Sequence, residues 1–416
     1  MTLPEDSKII IVGGGTFGLS TALWLLRKNY KNVTVLDPFP VPSEISAGND
    51  VNKLIQSSYI NKFHDELSKE SLKLWQTDPV FIKNYHETGI LYSSSSEKAY
   101  QGLLEKNKRQ IEYGREPFKT VTSKEDYQEI IPALTGDLKG WKGLLQPDEC
   151  GWAHARDSLI SAGEEIIKLG GKIKIGEVNE LIKEKGSIKG VKTKQGDVYY
   201  GDKIIISAGA SSINVLSFQD QLFAKSWAYA HIKLSQEEAD SLRGIPVLIN
   251  SDLGFFFEPD SNNELKISNE QPGYTHFVDG KDNPESSVPI AKDQIPYEAE
   301  VAIRDILRAT LPQYADREFV KKRICWCTDT ADRFFLIDEH PDYDGSLVLA
   351  TGDSGHAFKF MPVIGKYISE LVIKGKANVD RETYDHWRWR PEVTREDTRI
   401  GGDGKRRDIG EFKRWT

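Results

Sequence analysis

Apolar and polar positions change period several times along the chain. In "SKIIIVGGGTFGLSTALWLLRKNYKNVTVLD", a four-residue apolar run, Ile9 to Val12, enters a glycine turn. Apolar residues then recur at 19, 22, 23, 25 and 26, the spacing of one helix face, before a second strand spans Val33 to Leu36. The pattern predicts a complete β-α-β unit. Further along, a helix is expected over 158–169. From 171 to 210 short alternating runs separated by Gly predict a meander of strands. The meander ends in a fully apolar strand, Ile204 to Ile206, which enters Ser207-Ala208-Gly209-Ala210. "SLVLATGDSGHAFKFMPVIGKYISELV" repeats the design: a strand over 347–350, a turn from Gly352 to Gly355, and a helix from about Pro362. Between these segments lie β-rich stretches such as "AYAHIKL" and "GFFFEPDSNNELKISNE", with helices expected over 66–75 and 297–311. The tetraserine from Ser93 to Ser96 is expected as a loop.

The first unit carries the signature of dinucleotide binding. Gly13 permits the tight turn, Gly15 leaves room for a phosphate, with Thr16 and Phe17 beside it, and Gly18 lets the helix approach the strand. Asp37, at the end of the second strand, is placed to accept hydrogen bonds from ribose hydroxyls, so the expected ligand is FAD or NAD without a 2′-phosphate. Three nucleotide-binding segments scattered along one chain favour a flavoprotein. The expected architecture is α/β: a discontinuous Rossmann-type domain from 1–54, 150–220 and 321–390, and a mixed-sheet α+β substrate domain from 55–149 and 221–320. Residues 391–416 form a charged arm.

Composition narrows the setting. A chain of 416 residues is long enough for two domains of the usual ~100–200 residues, and 55 Lys+Arg against 63 Asp+Glu leave a net charge of −8. The positive charges do not form the aromatic-interleaved patches of a nucleic-acid binder, and no apolar run approaches the ~20 residues that span a bilayer. Only three cysteines are present, Cys150, Cys325 and Cys327, which points to a reducing compartment rather than a disulfide framework. Two of them flank Trp326. On a strand they share one face, either as small buried side chains or as reactive thiols.

The strings "SAGNDVNKLI", "GFFFEP", "CWCTDTADR", "GDSGHAFK" and "WRWRP" together resemble the sarcosine-oxidase-like FAD amine oxidases of the glutathione-reductase-like superfold. Within that group the likeness is to the fructosyl amino acid oxidases, or amadoriases, and it covers nearly the whole chain. It implies oxidation of the C–N bond of fructosyl amino acids by O2, giving amino acid, glucosone and H2O2. It implies FAD attached through its 8α-methyl carbon to Cys325, with Cys327 a neighbour. Lys266 would be the lysine of the oxygen reaction and Lys53 a second lysine near the flavin. Glu270 would accept sugar hydroxyls, Lys359 would reach the substrate, and Arg399 (or Arg395 or Arg388) would clamp the substrate carboxylate. Tyr59 and Lys62 would touch the amino-acid end. Ser46, Ala208, Gly209, Asp353, Gly355, His356 and Phe358 are expected around the cofactor, and the family implies a monomer. The end at Arg414-Trp415-Thr416 differs from the Ser-Lys-Leu-like peroxisomal signal of some relatives, so cytosol is expected. Competing readings are an oxidase of sarcosine, pipecolate or saccharopine, which would lack a sugar acceptor such as Glu270, and a flavoprotein without turnover, which would lack the lysines. A pyridine-nucleotide dehydrogenase would need a second glycine-rich β-α-β unit, and there is none in the sequence.

Overall fold

The expected β-α-β unit forms as strands Ile9–Val12 and Val33–Asp37 joined by the helix Thr16–Arg27, with the strands parallel and Ile9 opposite Val33. The computed structural model describes residues 2–270, 273–278, 287–393 and 407–416. The unit lies inside a six-stranded sheet ordered Leu336–Glu339, Leu347–Thr351, Lys203–Ile206, Ile9–Val12, Val33–Asp37, Lys172–Ile175. All neighbours are parallel except the first pair. Both faces are covered, which is why its strands read as continuous apolar runs rather than alternating ones. Ile9, Ile11, Val35, Ile205 and Val348 pack with the helices on one face, including Thr16–Arg27, Ala155–Lys168 and Met361–Lys374. Ile10, Val12, Ile204, Ile206 and Leu349 pack on the other under the meander Val178–Glu184, Ser187–Thr193 and Val198–Tyr200.

A larger sheet of ten strands makes the opposite half. Phe223–Lys233 pairs antiparallel along its length with the equally long Phe319–Asp329 and on its other edge with Glu264–Asn269. The sheet continues through Gly254–Phe256, Val247–Asn250, Ile90–Ser94, Lys142–Gln146 and Lys119–Val121. Alternation along the central strands separates two environments. Ala228, Ala230, Ile232, Leu265, Ile267, Ile324 and Trp326 enter a core shared with the helix Tyr297–Thr310. Trp227, Tyr229, Lys266, Ser268, Arg323, Cys325 and Cys327 face a cavity. Burying a large apolar side chain contributes about 1.5–3 kcal/mol. A one-residue slip would carry Ala228, Ala230, Leu265 and Ile267 out of that core, so the core residues hold the register.

Phe319–Asp329, which spans the boundary expected at residue 321, pairs within the large sheet. Of the expected arm, Arg407–Asp408 pairs in parallel with Tyr274–Thr275, and Trp415 bridges to Pro296. The tetraserine also differs from the expected loop, since Ser93 and Ser94 end a strand and Ser96 caps the helix Glu97–Glu112. Among the described residues no helix is long and apolar enough to cross a membrane.

Candidate active site

One cavity of 770 Å3 runs from the glycine turn of the small sheet to the polar face of the large one. At its nucleotide end the backbone does most of the shaping. Gly13 has φ +109°, and a Cβ there would lie 2.4 Å from the Ser207 carbonyl oxygen. A Cβ at Gly18 would fall 1.9 Å from the Gly13 carbonyl oxygen, so this glycine sets helix-to-strand contact and does not line the cavity. Gly15, Thr16, Phe17, Ser46, Ala208 and Gly209 do line it. Gly15 is the N-cap of the helix Thr16–Arg27, no side chain caps it, and the first turn has no acidic residue. Its free N–H groups and positive dipole end therefore suit a pyrophosphate. Asp37 lines the same end, where its carboxylate accepts from the N–H groups of Gly14 at 2.8 Å and Phe39 at 3.0 Å. Burial pushes its carboxyl up, with Ser43 and these N–H groups opposing. These features fit FAD: an uncapped helix end for phosphates, an acid for ribose, and a long volume leading to the large sheet.

At the other end side chains dominate. Lys53, on the strand Asn52–Gln56, and Lys266, on Glu264–Asn269, both donate to Asp50 Oδ2, at 2.8 Å and 2.5 Å. Lys266 also donates to the Asn52 carbonyl at 3.2 Å and lies 4.9 Å from the centre of the Tyr229 ring. Burial alone would raise the Asp50 carboxyl, but the two ammonium groups hold it well below the usual range. Burial also works against the lysines, with opposite results. Asp50 outweighs it for Lys53, whose pKa is raised, whereas Lys266 is brought down to about 8. Cys325 Sγ is 3.8 Å from Lys53 Nζ and 4.0 Å from the Ala47 carbonyl oxygen. Trp227, opposite Cys325 on the neighbouring strand, donates its indole N–H to the Glu270 carbonyl at 2.9 Å. Lys53, Lys266, Glu270 and Cys325 thus line one cavity.

The third wall is the turn after Leu347–Thr351. Asp353, Gly355, His356, Phe358 and Lys359 all line the cavity. Asp353 accepts from the N–H groups of Thr328 at 2.8 Å and Gly355 at 2.9 Å, and burial raises it to about 6. His356 holds the Arg333 carbonyl at 3.0 Å through Nε2, which fixes Nδ1 as acceptor for the Tyr59 hydroxyl at 3.2 Å. Burial, then Lys359, His64 and Arg333, keeps this imidazole neutral, its pKa well below the usual value. Lys359 donates to the His356 carbonyl at 3.1 Å, and burial lowers it to about 7, with Arg333 and Lys106 adding to the effect. Its own carbonyl accepts from Ser71 Oγ at 2.5 Å and Trp75 Nε1 at 2.7 Å, both on the helix Lys62–Thr77.

Tyr59 stands behind His356 and is not among the lining residues. Lys62 is an exposed residue pairing with Glu66 at 3.6 Å. Arg388 pairs with the exposed Glu392. Arg395 and Arg399 lie outside the described residues. Among the lining residues that sequence reasoning missed are Asp50, Tyr229, Arg333 and Lys106. Lys106, on the helix Glu97–Glu112, sits 3.6 Å over the Tyr92 ring, and burial lowers it to about 7. Asp50 carried the only local signal, an acid three residues before Lys53.

Comparison with known proteins agrees with this geometry. The family of FAD dependent oxidoreductases matches residues 8–371. The L-saccharopine oxidase of Schizosaccharomyces pombe is 31% identical, over 92% of this chain and 93% of its own. The crystal structure of the deglycating enzyme fructosamine oxidase (Amadoriase II) of Aspergillus fumigatus superposes with a TM-score of 0.93 at 40% identity, covering 100% of this chain and 98% of that one. A modified fructosyl peptide oxidase from Aspergillus nidulans gives a TM-score of 0.91 at 35% identity, over 99% and 100%. With a nucleotide cradle of the right shape and this likeness along its whole length, the chain belongs to the FAD dependent oxidoreductases, and is an enzyme of the amadoriase-like branch of that family.

Proposed function

We propose that this enzyme oxidises the C–N bond of fructosyl amino acids with O2 and water, giving the amino acid, glucosone and H2O2, with FAD bound covalently at Cys325. The observation that carries the reading is the Lys53–Asp50–Lys266 cluster facing the same cavity as Glu270 and Cys325, in a chain 35–40% identical to fructosyl-amine-oxidising enzymes. FAD, when bound, accepts a hydride from the carbon next to nitrogen and passes the electrons to O2. The protein's part is to position and to stabilise charge. Glu270 accepts sugar hydroxyls, and Lys359 holds the carboxylate by a charge-assisted hydrogen bond. Lys266 and Lys53 supply positive charge where the reduced state and the oxygen reaction need it. No general base is required when the amine arrives neutral. Cys325 offers an accessible thiol beside the Lys53 ammonium, a suitable setting for a nucleophilic sulfur. The reading carries a monomeric enzyme, and its three free cysteines suit a reducing cytosol.

Anaerobic mixing with fructosyl valine, fructosyl lysine, saccharopine and sarcosine tests the substrate, followed by loss of the flavin band near ~450 nm. Rapid bleaching by a fructosyl amine alone is expected. The saccharopine reading is favoured by the cation-rich wall of Lys359, Lys106 and Arg333, and bleaching by saccharopine alone would replace the proposal with it. For the tether, Cys325→Ala is expected to purify with FAD but release it on acid denaturation; flavin that stays with the denatured variant would assign the link elsewhere.

A further inference from the structure

His231 has no part in the chemistry above, yet it stands beside the cluster that does. It is directly opposite Lys266 in the antiparallel pair formed by Phe223–Lys233 and Glu264–Asn269. Alternation therefore puts Glu264, Lys266, Tyr229 and His231 on one face. His231 Nδ1 lies 2.9 Å from Glu264 Oε2, while Nε2 is buried and has no hydrogen-bond partner among the described residues. Side-chain exposure is 3% at Lys266, 1% at His231 and 26% at Glu264, so the row leads from the interior to solvent. A buried imidazole nitrogen without a partner is destabilising, and an apolar ring of the same size would avoid that cost. Such a group is better explained by what it carries than by stability.

The oxygen reaction needs such a carrier. O2, one hydride and one proton give H2O2. The hydride brings both electrons and one proton, so in the oxygen half-reaction one further proton must reach the buried Lys266. We propose that His231 is a proton-relay residue, restoring through Glu264 the solvent proton that reduction of O2 draws from Lys266. The step balances: the Lys266 ammonium becomes an amine as it protonates the reduced oxygen, water delivers a proton through Glu264 to the neutral His231 ring, and the imidazolium so formed passes one to the Lys266 amine, which returns both groups to their starting charge. The proposal rests on the reading of Lys266 as the oxygen-reaction residue. Burial lowers His231, opposed by Glu264 and Asp50, so that the ring rests neutral and is charged only in passage. The charged and titratable groups facing it are Glu264 and Lys266 on one neighbouring strand, Lys321 and Arg323 on the other, Tyr229 and Lys233 on its own strand, and Asp50 across the cavity.

The test separates the half-reactions of the holoenzyme by rapid mixing. His231→Gln is expected to slow reoxidation by O2 about tenfold or more, since proton transfer by a placed group contributes about 10²–10⁴-fold and water bypasses part of it. Anaerobic reduction by substrate stays within about twofold. Glu264→Gln, at a partly exposed site where folding is not at stake, is expected to shift the pH profile of reoxidation to lower pH, because loss of the carboxylate lowers the imidazole pKa. A readout independent of turnover is the His231 ring titration by NMR in ¹⁵N-histidine-labelled holoenzyme: its pKa rises in Lys266→Met and falls in Glu264→Gln. Reoxidation of His231→Gln at the wild-type rate while Lys266→Met is slow overturns the relay alone. Reoxidation of Lys266→Met at the wild-type rate overturns both the relay and the role of Lys266. An unmoved pH profile in Glu264→Gln, or a ring titration indifferent to Lys266→Met, also overturns it.

Discussion

Two pairs of lysines meet one cavity in opposite electrostatic states. Lys53 and Lys266 share a buried carboxylate, Asp50, which draws one of them up and leaves the other at about 8. Lys359 and Lys106 enter no ion pair with any described carboxylate; a carbonyl and aromatic rings contact them, Arg333 and Arg115 stand near as further cations, and burial brings both to about 7. The difference teaches what each pair is for. On the proposed function, the compensated pair belongs to the resident machinery around the flavin, and the pair without a counter-ion awaits an anion that arrives with the ligand.

The sharpest way to break this contrast is Asp50→Asn, which leaves two ammonium groups facing each other. Removing one partner of a buried ion pair typically costs about 3–5 kcal/mol. Urea unfolding of the variant is expected to show a loss of that order, and a loss below about 1 kcal/mol would mean that the lysines do not depend on the shared carboxylate. Next in size is Lys359→Met. A hydrogen bond to a charged group contributes about 1.5–3 kcal/mol, so KM for a carboxylate-bearing substrate should rise roughly 10–100-fold with little change in kcat. Acetate used as a competing ligand gives the pH dependence: Lys359 is charged below about 7 and neutral above it. Acetate affinity is therefore highest at low pH and is lost as pH rises through that value, and Lys359→Met should flatten this part of the profile. Smallest is Lys106→Met, expected to raise KM about fivefold, equivalent to ~1 kcal/mol. A larger rise than in Lys359→Met would reverse their order as anion contacts.

The two ends of the cavity were unequally legible in the sequence. The nucleotide end is local: Gly13, Gly15, Gly18 and Asp37 lie within one β-α-β unit, and backbone sterics dictate their types. The reactive end is assembled from distant strands. Asp50 and Lys266 are 216 positions apart, and no periodicity relates them. Lys266, Glu270, Lys359 and Cys325 were recognisable through family likeness, while Asp50 and Lys106 were not. The sheet that holds Phe319–Asp329 is not legible either, because its alternation resembles that of any half-buried strand and only its pairing with Phe223–Lys233 reveals it. The orientation of Cys325-Trp326-Cys327 does follow from the alternation, once the core side is known.

Trp75 and Ser71 grip Lys359 by its main-chain oxygen, not by its side chain. The wall of the cavity is therefore held by an atom that every amino acid possesses. Any residue placed at 359 keeps the same grip, so descendants of this scaffold can exchange the group presented to the ligand while inheriting the socket unchanged.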